Sequence, residues 1–126
     1  MLKTLLFVAC GGAVGAMLRY GISSGIYAWT GRAFPYGTLA VNILGSFAIG
    51  LLSILLVERF NVPQELRLGL VVGVLGALTT FSTFSWDTLD LMQQGLMTRA
   101  LLNVLLNVVL CIGAAYVGMV WAKSMG

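Results

Sequence analysis

The sequence predicts an all-α integral membrane protein of four transmembrane helices, the third broken near residues 76–80. Three observations carry this. Of the 126 residues, 60% are hydrophobic and 9% charged, with no histidine, and the mean hydropathy is +1.00; this is the composition of a membrane protein. Turn and charge signals divide the chain into four apolar stretches, and a spanning helix needs about 20 apolar residues, so a chain of this length accommodates roughly four. Inside the third stretch, "GALTTFSTFSW" (76–86) places a glycine, a run of hydroxyls and two aromatics where plain hydrocarbon is expected.

The first span is expected at about 3–29. Its start, "MLKTLLFVACGGAVGAML", combines a charge with an apolar run as a secretory signal does, but the apolar character continues past Arg19 without a small-residue cleavage site and a polar region after it. It is therefore expected to remain as a span. "TGRAFPYG" (30–37) gathers Gly, Arg, Pro and Gly into a turn and opens the second span, 37–57. The most polar stretch, "ERFNVPQELR" (58–67), separates it from the third, 66–93. A short corner, "QQGLMTR" (93–99), leads into the fourth, 99–123. Connections this short pack neighbouring helices antiparallel, and residues 1–126 are expected to form a single four-span membrane domain.

The third span carries glycines at 69, 73 and 76, spaced i, i+4 and i+7 on one face, followed by Ala77-Leu78-Thr79-Thr80. A flexible residue before two β-branched hydroxyl residues predicts a helix break. Irregular backbone at membrane depth persists only where it is buried in protein or lines a polar cavity. A break therefore implies a site. The competing reading is an ordinary helix whose Ser and Thr bond back to the preceding turn.

Polar stripes accompany it. Asn42, Ser46 and Ser53 share one face of span two, and Asn103, Asn107 and Cys111 recur at i, i+4 and i+8 on span four. Interhelical hydrogen bonding, about 0.6 kcal/mol on average in membranes, is the plainer explanation for each Asn. Phe81 and Phe84 are i, i+3 neighbours, as are Ser82 and Ser85, while Thr79 and Thr83 lie one turn apart. A phenyl ring is positive at its edge, so two edges beside the hydroxyls of Thr80, Ser82, Thr83 and Ser85 and beside amides make a route for an anion that offers no fixed full charge. Simple packing of the two rings is the alternative.

Composition also excludes. Four acids (Glu58, Glu65, Asp87, Asp90) and no histidine leave too few titratable groups for most acid–base or metal chemistry, so an enzyme is not expected. Seven Lys and Arg give a net charge of +3 but stand singly, which suits lipid-bilayer anchors and argues against nucleic acid. Cys10 and Cys111 lie in apolar stretches and read as small hydrophobes. Arg19 in span one and Asp87 and Asp90 toward the end of span three are costly in lipid and so face water or a partner. For Arg19, drawing anions into an aqueous vestibule, snorkelling and pairing with an acid all stay open.

With four spans, Lys3, Arg59, Arg67 and Lys123 share one side, against Arg32 and Arg99 on the other and Arg19 near the end of span one. That is a weak bias for the positive-inside rule. A small unit with no firm orientation, too thin to enclose a pathway alone, suggests an antiparallel dual-topology homodimer about a two-fold axis in the membrane plane. Gly11/Gly15, Gly21/Gly25 and Gly69/Gly73 offer close-packing faces for it or for packing within one subunit.

Taken together, "GALTTFSTFSWDT", "GGAVGAMLRY" (11–20) and "GTLAVNILGSF" (37–47) resemble the Fluc (CrcB) fluoride channels of microbial membranes, over nearly the whole chain. The resemblance implies a dual-topology dimer in the cytoplasmic (inner) membrane with two narrow pathways exporting fluoride passively. It implies Phe81, Phe84 and Asn42 along the path, and a structural Na+ on the two-fold axis held by backbone carbonyls at Gly76 and Thr79. Arg19 and Asp87 match vestibule positions. Where the family's fourth helix often carries Tyr and Ser hydroxyls, this chain has Asn103, Asn107 and Cys111; amides still donate, and a thiol donates weakly. The rival class is a small dual-topology multidrug or cation transporter, which needs a buried acid early in the chain, and span one has none. A purely structural subunit would leave Asn103 and Asn107 without a task.

Overall fold

The computed structural model describes residues 1–125, and these residues form helices and short connections without a strand. Four helices are long and apolar enough to cross a membrane: Leu2–Thr30, Tyr36–Arg59, Gln64–Gln93 and Met97–Ser124. All four spans begin and end within about three residues of the expected bounds, because hydropathy and turn residues are local signals. Within them, α1 is Leu2–Thr30 and α2 is Tyr36–Ile54, which continues as a π-helical turn over Leu55–Arg59. Span three consists of α3 (Gln64–Leu68), a π-helical segment (Gly69–Leu75), α4 (Gly76–Leu78) and α5 (Phe81–Gln93). Span four is α6, Met97–Ser124.

Span one packs mainly on the first half of span three, and α2 packs mainly on α6. Val41, Leu75 and Leu78 form the buried centre, with Ile22, Ala48, Leu52 and Val74 against it. Most other large apolar side chains point outward, as expected where the surrounding solvent is lipid. Polar groups are buried alongside this apolar centre: Thr38, Asn42, Asn103 and Asn107, and among the described residues every buried side-chain N or O atom has a partner.

Glycines set the closest approach. A methyl group on Gly11 would overlap the carbonyl oxygen of Gly69, and one on Gly15 would overlap that of Val74. From the other side, a methyl on Gly73 would sit 2.7 Å from the Val8 carbonyl oxygen. Backbone therefore lies on backbone between α1 and the π-helical segment, the small-residue packing that replaces the hydrophobic effect in lipid. Gly11/Gly15 and Gly69/Gly73 are thus used within the subunit, whereas Gly21 and Gly25 meet nothing within 4 Å. Gly11→Ala is expected to lower stability by about 1–3 kcal/mol through overpacking, read as a lower unfolding midpoint in detergent. Gly12→Ala, at a neighbouring glycine with nothing within 4 Å, should leave the midpoint unchanged; equal midpoints for the two variants would refute the contact.

The break falls later than the glycine suggests. Gly76 is helical, with φ −63° and ψ −34°, and α4 runs on through Leu78. The extended residues are Thr79 (ψ 156°) and Thr80 (φ −150°, ψ 122°). Extended backbone suits a β-branched residue, so the two threonines make the break and Gly76 does not.

Candidate functional site

Each end of the break is tied off. The Thr79 hydroxyl donates to the Leu75 carbonyl at 3.0 Å. Thr80 caps α5, its Oγ1 accepting from the Thr83 amide at 3.0 Å, the usual service of a Thr N-cap, worth about 1 kcal/mol. The Thr80 amide, which in a continuous helix would donate to the Gly76 carbonyl, instead donates to Asn42 Oδ1 at 2.8 Å. Asn42 Nδ2 returns a bond to the Thr80 carbonyl at 3.2 Å. One side-chain amide thereby does for Thr80 what a neighbouring strand would.

One face of α2 is shaped to receive this turn. Three residues after Asn42, Gly45 leaves room for the Thr79 methyl, which a Cβ at that position would overlap. Arg19 of α1 approaches from elsewhere and donates through Nε to the Ala77 carbonyl at 3.0 Å. A cation at a helix C-terminus is favourable by about 0.3–1 kcal/mol. Arg19 therefore serves a freed carbonyl and does not pair with an acid; sequence alone held no sign of that partner.

Beside the break lies a recess of about 460 Å³, lined by Asn42, Gly45, Ser46 and Ile49 of α2, by Gly76, Thr79, Thr80, Phe81 and Phe84 of span three, and by Asn107, Val108, Cys111 and Ile112 of α6. Phe84 is buried while Phe81 is 79% exposed. Their ring centroids lie 5.2 Å apart at 56°, a tilted arrangement that leaves ring edges and faces turned different ways.

Of the residues singled out from the sequence, Asn42, Gly76, Thr79, Thr80, Phe81, Phe84 and Asn107 meet at this recess. Ser46 and Cys111 join them; the stripe spacing on α2 and α6 was the signal for both. Ser82 lies on the exposed side, its Oγ 3.3 Å from Thr80 Oγ1. Ser85 is also exposed and bonds back to the Phe81 carbonyl at 2.9 Å, and Thr83 contributes its amide to the cap. None of these three lines the recess. Asn103 is fully buried behind Asn107, to which it is hydrogen-bonded. Asp87, half-buried, accepts from Thr38 Oγ1 at 2.8 Å, and Thr38 Oγ1 also lies 3.3 Å from the Tyr27 hydroxyl, a cluster apart from the recess. Asp90 is exposed and bonded to Gln94.

Four apolar spans, the third broken beside an aromatic and polar recess, define a multi-pass α-helical membrane protein; no cluster of His, Cys, Asp or Glu able to hold a metal occurs among the described residues. The chain belongs to the CrcB family: residues 6–119 match the family described as CrcB-like protein, Camphor Resistance (CrcB). It is 57% identical over 116 residues to the fluoride-specific ion channel FluC of Magnetococcus marinus, covering 92% of this chain and 94% of that one. It is 47% identical over 124 residues to FluC of Geobacter sulfurreducens, covering 98% and 100%. With FluC of Methylococcus capsulatus the identity is 50% over 122 residues, 97% of this chain and 54% of that longer one.

Proposed function

We propose that this chain is a passive, fluoride-specific ion channel that lowers cytoplasmic fluoride by letting it leave across the cytoplasmic (inner) membrane, and that it is not an enzyme. The observation that carries the reading is the break at Thr79–Thr80, which brings two phenyl rings, a Thr hydroxyl and buried amides to one recess at membrane depth. Relatives 57%, 50% and 47% identical bear the name fluoride-specific ion channel, which supports the choice of anion. Fluoride is small and firmly hydrated, so its path must substitute water donors with hydroxyls and ring edges while binding weakly enough to release. A negative interior favours anion exit by about 2.3 kcal/mol per 100 mV. In this reading Phe81, Phe84, Asn42, Thr80 and Asn107 border the path, and Ser82, Thr83 and Ser85 flank it. Arg19 and Asp87 lie toward its vestibules. A drug or cation transporter is not favoured: span one has no acid, and Asp87 and Asp90 are engaged with Thr38 and Gln94.

The working unit is proposed to be an antiparallel, dual-topology homodimer. The exposure of Phe81 and Gly76 on the open side of the recess supports a second copy as the missing wall. Sodium, implied by the family resemblance, fits the Gly76 and Thr79 carbonyls: the Thr80 and Thr83 amides that would serve them in a helix are bonded elsewhere. Two carbonyls from each copy would make a hard-oxygen site. When bound, the ion would neutralise the carbonyl dipoles meeting at the axis.

Purified protein in liposomes is expected to release fluoride without an energy source and to release little chloride; no fluoride release above protein-free liposomes would refute the channel. In the same proteoliposomes, Ala33→Cys in a background without Cys10 and Cys111 should label from both sides of the membrane. One-sided labelling would refute dual topology.

A further inference from the structure

The three buried asparagines form a single relay whose direction is dictated at both ends. Thr80 N–H can only donate and its carbonyl only accept, so Asn42 must present Oδ1 to the first and Nδ2 to the second. The second Nδ2 proton of Asn42 then points at Asn107, which must offer Oδ1, at 3.0 Å. The Asn107 amide nitrogen is thereby aimed away from Asn42, and its two protons go to the Asn103 carbonyl at 2.8 Å and to Asn103 Oδ1 at 3.0 Å. Asn103 is left with its nitrogen, which donates to Thr88 Oγ1 at 2.9 Å. Thr88 in turn gives its proton to the Phe84 carbonyl at 2.8 Å.

The relay thus starts on the backbone of Phe84 and ends on the backbone of Thr80, spanning α5, α6, α2 and the break. Every amide proton of Asn42 and Asn107 is spent inside it, so neither side chain has a spare donor for an anion in this arrangement. The expectation that these amides serve directly as anion donors along the path does not fit that inventory.

Resting on the fluoride-channel reading, we infer that Asn103 is a positioning residue: acting through Asn107 and Asn42, it holds the Thr80 turn and hence the Phe81–Phe84 pair in conducting geometry, without touching the ion. Its burial behind Asn107, with no exposed surface, and its bonds to both α5 and α6 are what such a role requires. Anion donors along the recess are then the ring edges and the hydroxyls of Ser46 and Thr80, the Thr79 hydroxyl being spent on the Leu75 carbonyl.

Asn103→Asp tests this in one purified sample. A protonated carboxyl has the amide's pattern, a donor for Thr88 and an acceptor for Asn107, whereas a carboxylate has no donor. The protonated form is the more populated at the lower of two pH values, so comparing efflux near pH 8 and near pH 5.5 contrasts the two patterns. Relative to wild type at the same pH, fluoride efflux of Asn103→Asp is expected to fall about tenfold or more near pH 8 and to recover to within about threefold near pH 5.5. Asp87 and Asp90 on α5 and Arg99 on α6 are common to both proteins, so that comparison removes their titration. Asn103→Leu should lose efflux at both pH values, and should cost nothing further in an Asn107→Leu background. Wild-type efflux above protein-free liposomes establishes the channel first. Asn103→Asp that matches wild type at both pH values, or is equally impaired at both, overturns the inference, and so does Asn103→Leu with full efflux.

Discussion

Phe84→Ile and Phe81→Ile are each expected to cut fluoride efflux from proteoliposomes by about tenfold to a hundredfold while the protein still elutes as the wild type does. Isoleucine keeps the apolar bulk, so the packing cost in the case of the buried Phe84 is about 1 kcal/mol. It removes the ring edge, and with it the positive end of the quadrupole that would face an anion. Losing one contact to a partly dehydrated ion costs about 1–3 kcal/mol, and each 1.4 kcal/mol or so is tenfold in rate. Phe81, at 79% exposed, contributes little to folding of a single subunit, so its effect isolates conduction from stability. Unchanged efflux in both variants would remove the ring edges from the mechanism.

Asn42→Leu should be the most damaging single change to stability near the site. It leaves the Thr80 amide, the Thr80 carbonyl and Asn107 Oδ1 without their partner. Each orphaned polar group away from water costs about 1–3 kcal/mol, so a total of several kcal/mol is expected, with loss of efflux. Asn42→Asp keeps the acceptor for the Thr80 amide but loses both donors, and should fall between wild type and Asn42→Leu. Ser46→Ala, on the same recess wall one turn on, serves as the control and should be nearly neutral. Thermal unfolding in detergent followed by size-exclusion recovery checks the order; Asn42→Leu as stable as Ser46→Ala would show that the clasp is dispensable.

Both outcomes depend on contacts that differ in how visible they were. Phe81 and Phe84 stand three apart in one helix, a local pattern readable from the chain. The Asn42 clasp joins residues 38 apart, and the Arg19 bond to Ala77 joins residues 58 apart. No spacing rule connects such pairs. Gly76 is the flexible residue before the threonines, yet it remains helical, and the chain turns extended at Thr79 and Thr80, where Asn42 serves the Thr80 amide and carbonyl. The π-helical segment Gly69–Leu75 had no sequence signal beyond its glycines; its wider turn lies where α1 presses its backbone close, and wide turns of this kind are often found at functional sites.

The sequence by itself determined the four spans, the polar turns between them, the existence of a break in the third and the aromatic and hydroxyl residues that follow it, since hydropathy, turn chemistry and helical periodicity are properties of neighbouring residues. Only the tertiary structure decided that the break falls on Thr79 and Thr80, that Gly11 and Gly15 are consumed inside the subunit, and that Asn103 stands behind Asn107 instead of on the recess wall. The reason is hydrogen-bond direction: whether an amide faces an ion or a neighbour depends on which donors and acceptors the other helices bring within 3 Å or so, and those arrive from distant parts of the chain.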